Sequence, residues 1–251
     1  MKQLGFFDGM RYPLLGLKHL LAHRELWPYA VKSLVVGIIL FALLAAIAAA
    51  FLLGFPSKLF SDGIEVKTVF LGCFSLFLGV AGGIVIFALI GNVVAGPYLE
   101  AMTERMMADA GRLKETPRGY WMAFWAGAGN QLARFVLFLG MQLGFFGAYF
   151  TPAAFFHPLL AAAGSVFFVA IEHLEYPLEA RSIAFFDRIH WALKRAMPAL
   201  GFGTTLFFVM PVAGFLLLPA AVCGGVLLEQ HLSATEEAKE GGVLRPTSDG
   251  R

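Results

Sequence analysis

Long uncharged apolar stretches alternate with short polar segments along this chain. Four of these stretches contain no Asp, Glu, Lys or Arg: Ser33–Ser57, Thr68–Leu99, Phe135–Ile171 and Ala196–Leu228. A helix needs about 20 apolar residues to cross the hydrocarbon core of a bilayer, so each stretch is long enough to cross once. The last two exceed one crossing and contain prolines, which predicts a helical hairpin in each. The pattern therefore predicts a helical integral membrane protein.

The lengths of the hairpin arms set how deeply they enter the bilayer. Arms in the second hairpin reach at most roughly 20–24 Å at about 1.5 Å per residue, which is shorter than a hydrocarbon core of about 30 Å. We therefore predict an all-α integral membrane protein with two long transmembrane helices, Tyr29–Leu53 and Thr68–Val94, plus two partly penetrating helical hairpins and interfacial helices. The first of the two hairpins, Phe135–Ile171, is called the middle hairpin, and its length is borderline for a complete crossing. Turns exposed within hydrocarbon lack hydrogen-bond partners, so partner subunits or a water-filled cavity should cover them, which predicts a homo-oligomer.

The polar segments predict what lies outside the hydrocarbon. Met10–Trp27 has a leucine stripe that suits a helix in the headgroup layer, or one packed on the protein's own polar face. Gly119–Arg134 is rich in aromatic residues and is predicted to be a separate interfacial helix. Residues 1–232 form the predicted membrane domain, and residues 233–251 a disordered polar cytoplasmic tail.

Composition and charge support this class. Hydrophobic residues make up 59% of the chain and charged residues 14%, against about 25% charged in soluble domains. The 19 basic and 17 acidic residues are too evenly balanced to suggest nucleic-acid binding. Positive residues concentrate in the N-terminal segment, after the second span and between the hairpins, which predicts that both termini are cytoplasmic.

Motifs for catalysis, metals or nucleotides are missing from the sequence, so no cofactor or metal is predicted and a gradient-driven conduit is favoured over a pump. Ionisable residues near lipid are better candidates, because they are costly there and tend to mark substrate paths. We predict anion binding by Arg24, Lys32 and Arg134, although Arg134 could instead extend to the headgroups. Glu175, with its neighbours, is predicted to be solvated or paired with Arg181.

Three motifs in order resemble one known family. They are Gly91-Asn92-Val93-Val94-Ala95-Gly96-Pro97-Tyr98 with Glu100, Glu104 and Arg105; His173-Leu174-Glu175-Tyr176-Pro177; and Gly201-Phe202-Gly203 with Pro211 and Pro219-Ala220-Ala221-Val222-Cys223-Gly224. This set resembles the CysZ sulfate permease family, which shares a domain with etoposide-induced membrane proteins. The motif residues are interpreted as structural or gating elements.

The resemblance implies a bacterial inner-membrane oligomer that passes sulfate for cysteine synthesis. One stretch departs from the family pattern, because Glu25-Leu26-Trp27-Pro28 stands where the family has Gly-Leu-Arg-Arg. The leading interpretation is a passive sulfate channel or permease. A non-transporting scaffold or assembly factor of the same fold is the alternative, and an integral-membrane enzyme is a more distant one.

Overall fold

Helices make up all regular structure in the part of the chain that the structure describes. The computed structural model describes residues 4–54, 91, 93–113, 120–213 and 217–243, with no strand among them. Its α-helices are α1 (Phe6–Gly9), α2 (Tyr12–Ala22), α3 (Trp27–Gly54), α4 (93–109), α5 (Tyr120–Ala148), α6 (His157–Ala180), α7 (Phe185–Lys194), α8 (Ala196–Ala213) and α9 (Leu218–Val243). Short 3₁₀ helices at Arg24–Leu26 and Pro152–Phe156 precede α3 and α6. The all-α prediction is confirmed.

Three helical segments among the described residues are long and apolar enough to cross a membrane. They are Arg24–Leu43, Gly127–Ala148 and Ala154–Ala180, whereas Ala196–Met210 is apolar but shorter. An all-α membrane protein is therefore confirmed, but the spans differ in detail, since both arms of the middle hairpin are long enough to cross completely. The predicted second span, Thr68–Val94, lies almost entirely outside the described residues.

The middle hairpin is longer than expected because α5 has no break at Arg134. Its 29 residues from Tyr120 to Ala148 extend about 43 Å. The segment Gly119–Arg134 is therefore not a separate interfacial helix. The sequence of α5 contains no proline, and the charge of Arg134 is compensated by a carboxylate of the neighbouring helix, so nothing forces the helix to end there.

The second arm of this hairpin continues past a proline. Helix α6 ends at Ala180 and contains Pro177 within its last turn. Proline lacks an N–H, so the carbonyl of His173 loses its usual helical donor. Helix α9 passes that carbonyl at Gly225, where an added Cβ would lie 2.7 Å from the oxygen. Pro177 and Gly225 thus mark a close crossing of α6 and α9.

The N-terminal helices pack on the second hairpin, formed by α8 and α9. Gly16 of α2 lies against Ala220 and Gly224 of α9, where a Cβ would overlap backbone atoms. The opposite face of α2 is open, with Leu14 66% and Leu21 61% exposed. One face of α2 therefore packs on the protein, and the headgroup-layer interpretation of its leucine stripe stays a prediction.

Two clusters of buried side chains join these elements. The first lies between α2, α6, α8 and α9 and is built around Leu174, Phe202 and Leu228. The second joins α4 to α9, with Met102 and Met107 packed against Val226 and its neighbours. Helix α9 contributes to both clusters, so it links α4 to α2, α6 and α8.

The structure differs from the predicted disordered tail, because α9 continues to Val243. Three arginines from other segments bind its polar half. Arg181 pairs with Glu229, Arg195 pairs with Glu236, and Arg112 lies 3.2 Å from a carboxylate oxygen of Glu237. These ion pairs and the burial of Ser233 and Thr235 explain the helical continuation through a polar sequence. The remaining predicted tail residues, 244–251, lie outside the described part.

Candidate functional site

A buried cluster of charged and polar side chains lies between α5, α6 and α7. We call it the charge cluster, and it consists of Asn130, Arg134, Glu175, Glu179 and Arg188. Helical spacing places its members together, since Asn130 and Arg134 are four residues apart on α5, as are Glu175 and Glu179 on α6. Burial is nearly complete at its centre: Arg134 is 7%, Glu175 4% and Arg188 8% exposed.

Two guanidinium groups converge on the carboxylate of Glu175. Arg188 Nη1 donates a hydrogen bond of 2.8 Å to Glu175 Oε1. Arg134 Nε lies 2.9 Å from Glu175 Oε2, but neither atom has a hydrogen-bond partner of suitable geometry among the described residues. The Arg134 contact is therefore an ion pair without hydrogen-bond alignment, and it is the less well satisfied of the two.

Glu179 holds the other side of the charge cluster. Its Oε2 accepts hydrogen bonds from Asn130 Nδ2 at 2.9 Å and from Arg188 Nη1 at 3.0 Å. Arg188 is itself oriented by its Nε, which donates to the carbonyl of Ile183 at 2.7 Å. The cluster thus connects three helices with two positive and two negative side chains.

A small cavity opens beside Arg134. Its volume is about 20 Å³, enough for one water molecule, and its lining consists of Gly96, Glu100, Gly127 and Tyr176 together with Asn130, Arg134, Glu175 and Glu179 of the charge cluster. Gly96 and Glu100 belong to α4, so the cavity brings the first family motif next to the second. A tetrahedral oxyanion is larger than one water molecule. The cavity could admit such an ion only if Glu175 or a neighbouring helix moved.

The three predicted anion-binding residues do not come together. Arg134 is in the charge cluster, whereas Arg24 and Lys32 are both exposed near the start of α3. Arg134 does not reach out to the headgroup region, since its side chain is buried and paired. Arg24 and Lys32 are therefore exposed on the surface of the protein, whereas Arg134 is buried in its interior.

The family-motif residues divide between the cavity and helix packing. Glu100 and Tyr176 line the cavity, and Pro97, Pro177 and Pro219 are buried. Of the remaining motif residues, Glu104 is half-buried, Arg105 is exposed and 3.5 Å from Asp109, Gly91 lies near Leu40 of α3, Pro211 falls in α8, and Asn92 is outside the described residues.

Sequence reasoning missed the partners of Arg134. Glu175 is neither solvated nor paired with Arg181, because Arg134 and Arg188 bind it and Arg181 binds Glu229 instead. The available signal was the four-residue spacing within α5 and within α6, which marks one polar face on each helix. That spacing does not reveal that the two faces meet.

A family model matches most of this chain, and named relatives match a little over half of it. A family model described as "Sulfate transporter CysZ/Etoposide-induced protein 2.4" matches residues 12–219. A sulfate transporter CysZ of Pseudomonas syringae pv. tomato is 28% identical over 149 residues, which cover 56% of this chain and 58% of the relative. Proteins of the same name from Pseudomonas fluorescens and Pseudomonas aeruginosa are 26% and 22% identical over matches of the same length.

The aligned part of the chain spans 58% of the length of the Pseudomonas syringae relative. These relatives are named as transporters, not as enzymes. The family match itself is broader, and it includes α2 to α8, the charge cluster and the beginning of α9. The ordered motifs, the apolar helices and this match agree, and the chain belongs to the Sulfate transporter CysZ/Etoposide-induced protein 2.4 family.

Proposed function

We propose that this chain carries a small inorganic oxyanion, sulfate, through a bacterial membrane. The observation that carries the proposal is the buried pair of arginines, Arg134 and Arg188, which converge on one carboxylate beside a cavity in a membrane protein of this family. Ionisable groups within membrane helices are costly, and they commonly belong to the path of a polar solute. The names of the relatives support sulfate as the solute.

The proposed path has two stages. Arg24 and Lys32, both exposed near the start of α3, attract the anion from water. The charge cluster then controls its entry, because the carboxylate of Glu175 occupies the place between two guanidinium groups that an oxyanion would otherwise take. In the described conformation this entrance is closed. Opening requires Glu175 to break its contact with one of the two arginines. The contact with Arg134 lacks hydrogen-bond alignment, so it is easier to break than the contact with Arg188.

The finer placement of the protein belongs to the same proposal. We propose a bacterial inner-membrane location, both termini in the cytoplasm and a homo-oligomer. The distribution of Lys and Arg supports the orientation. The short apolar helix Ala196–Met210 supports an assembly in which a neighbouring subunit covers the second hairpin.

Uptake of radiolabelled sulfate into proteoliposomes tests the proposal. We expect saturable uptake by the wild type and a loss of about ten-fold in Arg24→Ala and Lys32→Ala, since a lost contact with a charged group costs roughly this much. Lys18→Ala removes an exposed lysine of α2 and is the matched control, with uptake unchanged. These exposed positions are preferable to Arg134, whose removal would leave Glu175 buried without one of its partners.

A lack of uptake from folded, monodisperse protein would contradict the proposal. In that case the chain would have the fold of the family but would not transport sulfate, as the scaffold alternative predicts. Equal uptake by the Arg24, Lys32 and Lys18 variants would exclude the first stage and leave only the charge cluster as a candidate.

A further inference from the structure

A second and larger cavity lies apart from the charge cluster. It has a volume of about 380 Å³, within the usual size range of small-molecule pockets, and we call it the α8–α9 cavity. It lies between the start of α8 and the polar half of α9. Its lining includes Leu4, Lys194, Arg195, Met197, Leu232 and Glu236. None of these residues belongs to the charge cluster.

The polar part of the lining has an excess of positive charge. Arg195 is held in a fixed position, because its Nη2 pairs with Glu236 and its guanidinium lies 4.1 Å from the centre of the Trp191 ring. Lys194 is exposed and has no ion-pair partner among the described residues. Two cations and one carboxylate therefore face the cavity, which leaves one positive charge for a negatively charged ligand.

The apolar part of the lining distinguishes a lipid from a free anion. Leu4, Met197 and Leu232 line the cavity, and they offer nothing to a fully hydrated ion. Met197 is 63% exposed, and Leu193, which also lines the cavity, is 54% exposed. An acyl chain leaving the cavity could therefore continue over apolar surface.

The neighbouring helices place the cavity at the surface of the bilayer. Helix α7 is a short amphipathic helix with Phe186 77% exposed, as expected for a helix in the headgroup layer. Helix α8 follows directly and is apolar from Ala196 onward. The junction of α7 and α8, where Lys194 and Arg195 lie, is therefore at the depth of lipid phosphates.

From this geometry we infer that the α8–α9 cavity binds the headgroup of an anionic phospholipid. The phosphate lies between Lys194 and Arg195, and the acyl chains pass over Met197 and Leu193. Each Lys or Arg near a membrane surface strengthens binding to anionic lipid by an amount that corresponds to about five-fold in affinity. The inference does not depend on the proposed transport function, since the site has no residue in common with the anion path.

Native mass spectrometry of the full chain, released from detergent, tests the inference. The purified protein is titrated with phosphatidylglycerol or with phosphatidylcholine of the same acyl chains. We expect preferential binding of phosphatidylglycerol and about five-fold weaker binding in Lys194→Gln. Lys194→Arg, which keeps the positive charge at the same position, is the control and should bind as the wild type does. Lys194 is chosen over Arg195, whose removal would also break the contacts with Glu236 and Trp191.

Three results would overturn the inference. The first is equal binding of phosphatidylglycerol by the wild type and Lys194→Gln. The second is equal binding of phosphatidylcholine and phosphatidylglycerol by the wild type, which would mean that the charge has no role. The third is displacement of the lipid by millimolar inorganic phosphate, which would assign the cations to a soluble anion. Sulfate uptake is measured separately, so failure of either proposal leaves the other intact.

Discussion

Arg134 shows how a buried charge can be tolerated in a helix that is long enough to cross a membrane. An arginine in an apolar setting needs a counter-charge, and Glu175 provides it while also binding Arg188. Such a pair contributes little net stability, because desolvation of both ions offsets their attraction. Removal of one partner of the pair is costly, because the charge of the other partner then stays buried without compensation. Substitution of one member of the charge cluster should therefore destabilise the protein more than joint replacement of both partners by apolar residues.

Glu175→Gln should destabilise the protein strongly. The substitution keeps the shape of the side chain but leaves Arg134 and Arg188 buried with reduced compensation, for which we expect a loss of about 3–5 kcal/mol in the free energy of unfolding. Denaturant unfolding of the detergent-solubilised protein measures this. Glu237→Gln is the matched control, because Glu237 is 65% exposed in its pair with Arg112 and its loss should cost at most about 1 kcal/mol. Equal losses of unfolding free energy in the two variants would show that the buried ion pairs of Glu175 stabilise the protein no more than the exposed pair of Glu237 does.

Sequence reasoning identified Arg134 but not its environment. An arginine next to a long uncharged stretch is visible in the sequence, and its burial cost singles it out. Its partners come from α6 and α7, and their approach depends on how the helices pack. The same limit applies to Arg181, which lies close to Glu175 in the chain but binds Glu229 on α9. The sequence therefore predicted that a charged site exists, but it did not predict which side chains pair across the helices.

At the scale of elements, the apolar stretches predicted where helices occur but not where they end. Charged residues were taken as boundaries, yet α5 passes through Arg134 and α9 passes through Glu229. In both cases an arginine–glutamate pair removes the reason for a break. Pro177 likewise does not end α6 where it stands, although its missing N–H removes the helical donor of the His173 carbonyl. Helix ends depend on tertiary partners that a single sequence does not display.

Close packing of α2 on α9 gives a test at this scale. Gly16→Ala would place a methyl group into the backbone of Ala220 and Gly224, and backbone atoms cannot rotate away as a side chain could. We expect a loss of about 1–3 kcal/mol in the free energy of unfolding, typical of overpacking. Denaturant unfolding measures the loss, and limited proteolysis should show earlier cleavage near α2.

Gly140→Ala is the control for this substitution. Gly140 lies in α5, and an added Cβ there meets no described atom within 4 Å. Alanine is the better helix former by about 1 kcal/mol, so Gly140→Ala should be neutral or slightly stabilising. If Gly16→Ala were equally harmless, α2 would not be held against α9 as the structure indicates.

At the scale of the whole molecule, ion pairs between distant segments gather along the polar half of α9. The ends of α4, α6 and α7 all contribute arginines that bind acidic residues, and the polar half of α9 lies among them. The opposite end of the middle hairpin, residues 149–158, contains no Lys or Arg. This asymmetry was already visible in the sequence, and the structure adds that the charges from distant segments are brought to one place.

The same asymmetry predicts how the molecule lies in its membrane. Basic residues are retained on the cytoplasmic side, so Asp187 on α7 should face the cytoplasm and Phe155, in the turn between α5 and α6, should face the outside. Both positions are exposed, Phe155 by 86%. Single cysteines at these two positions, in a background with Cys73→Ala and Cys223→Ala, can be labelled in spheroplasts with a membrane-impermeant maleimide. We expect Phe155→Cys to react at once and Asp187→Cys to react only after permeabilisation. The reverse pattern would invert the molecule and place its arginine-rich end outside, and labelling of both before permeabilisation would mean that α5 and α6 do not cross the bilayer as a pair.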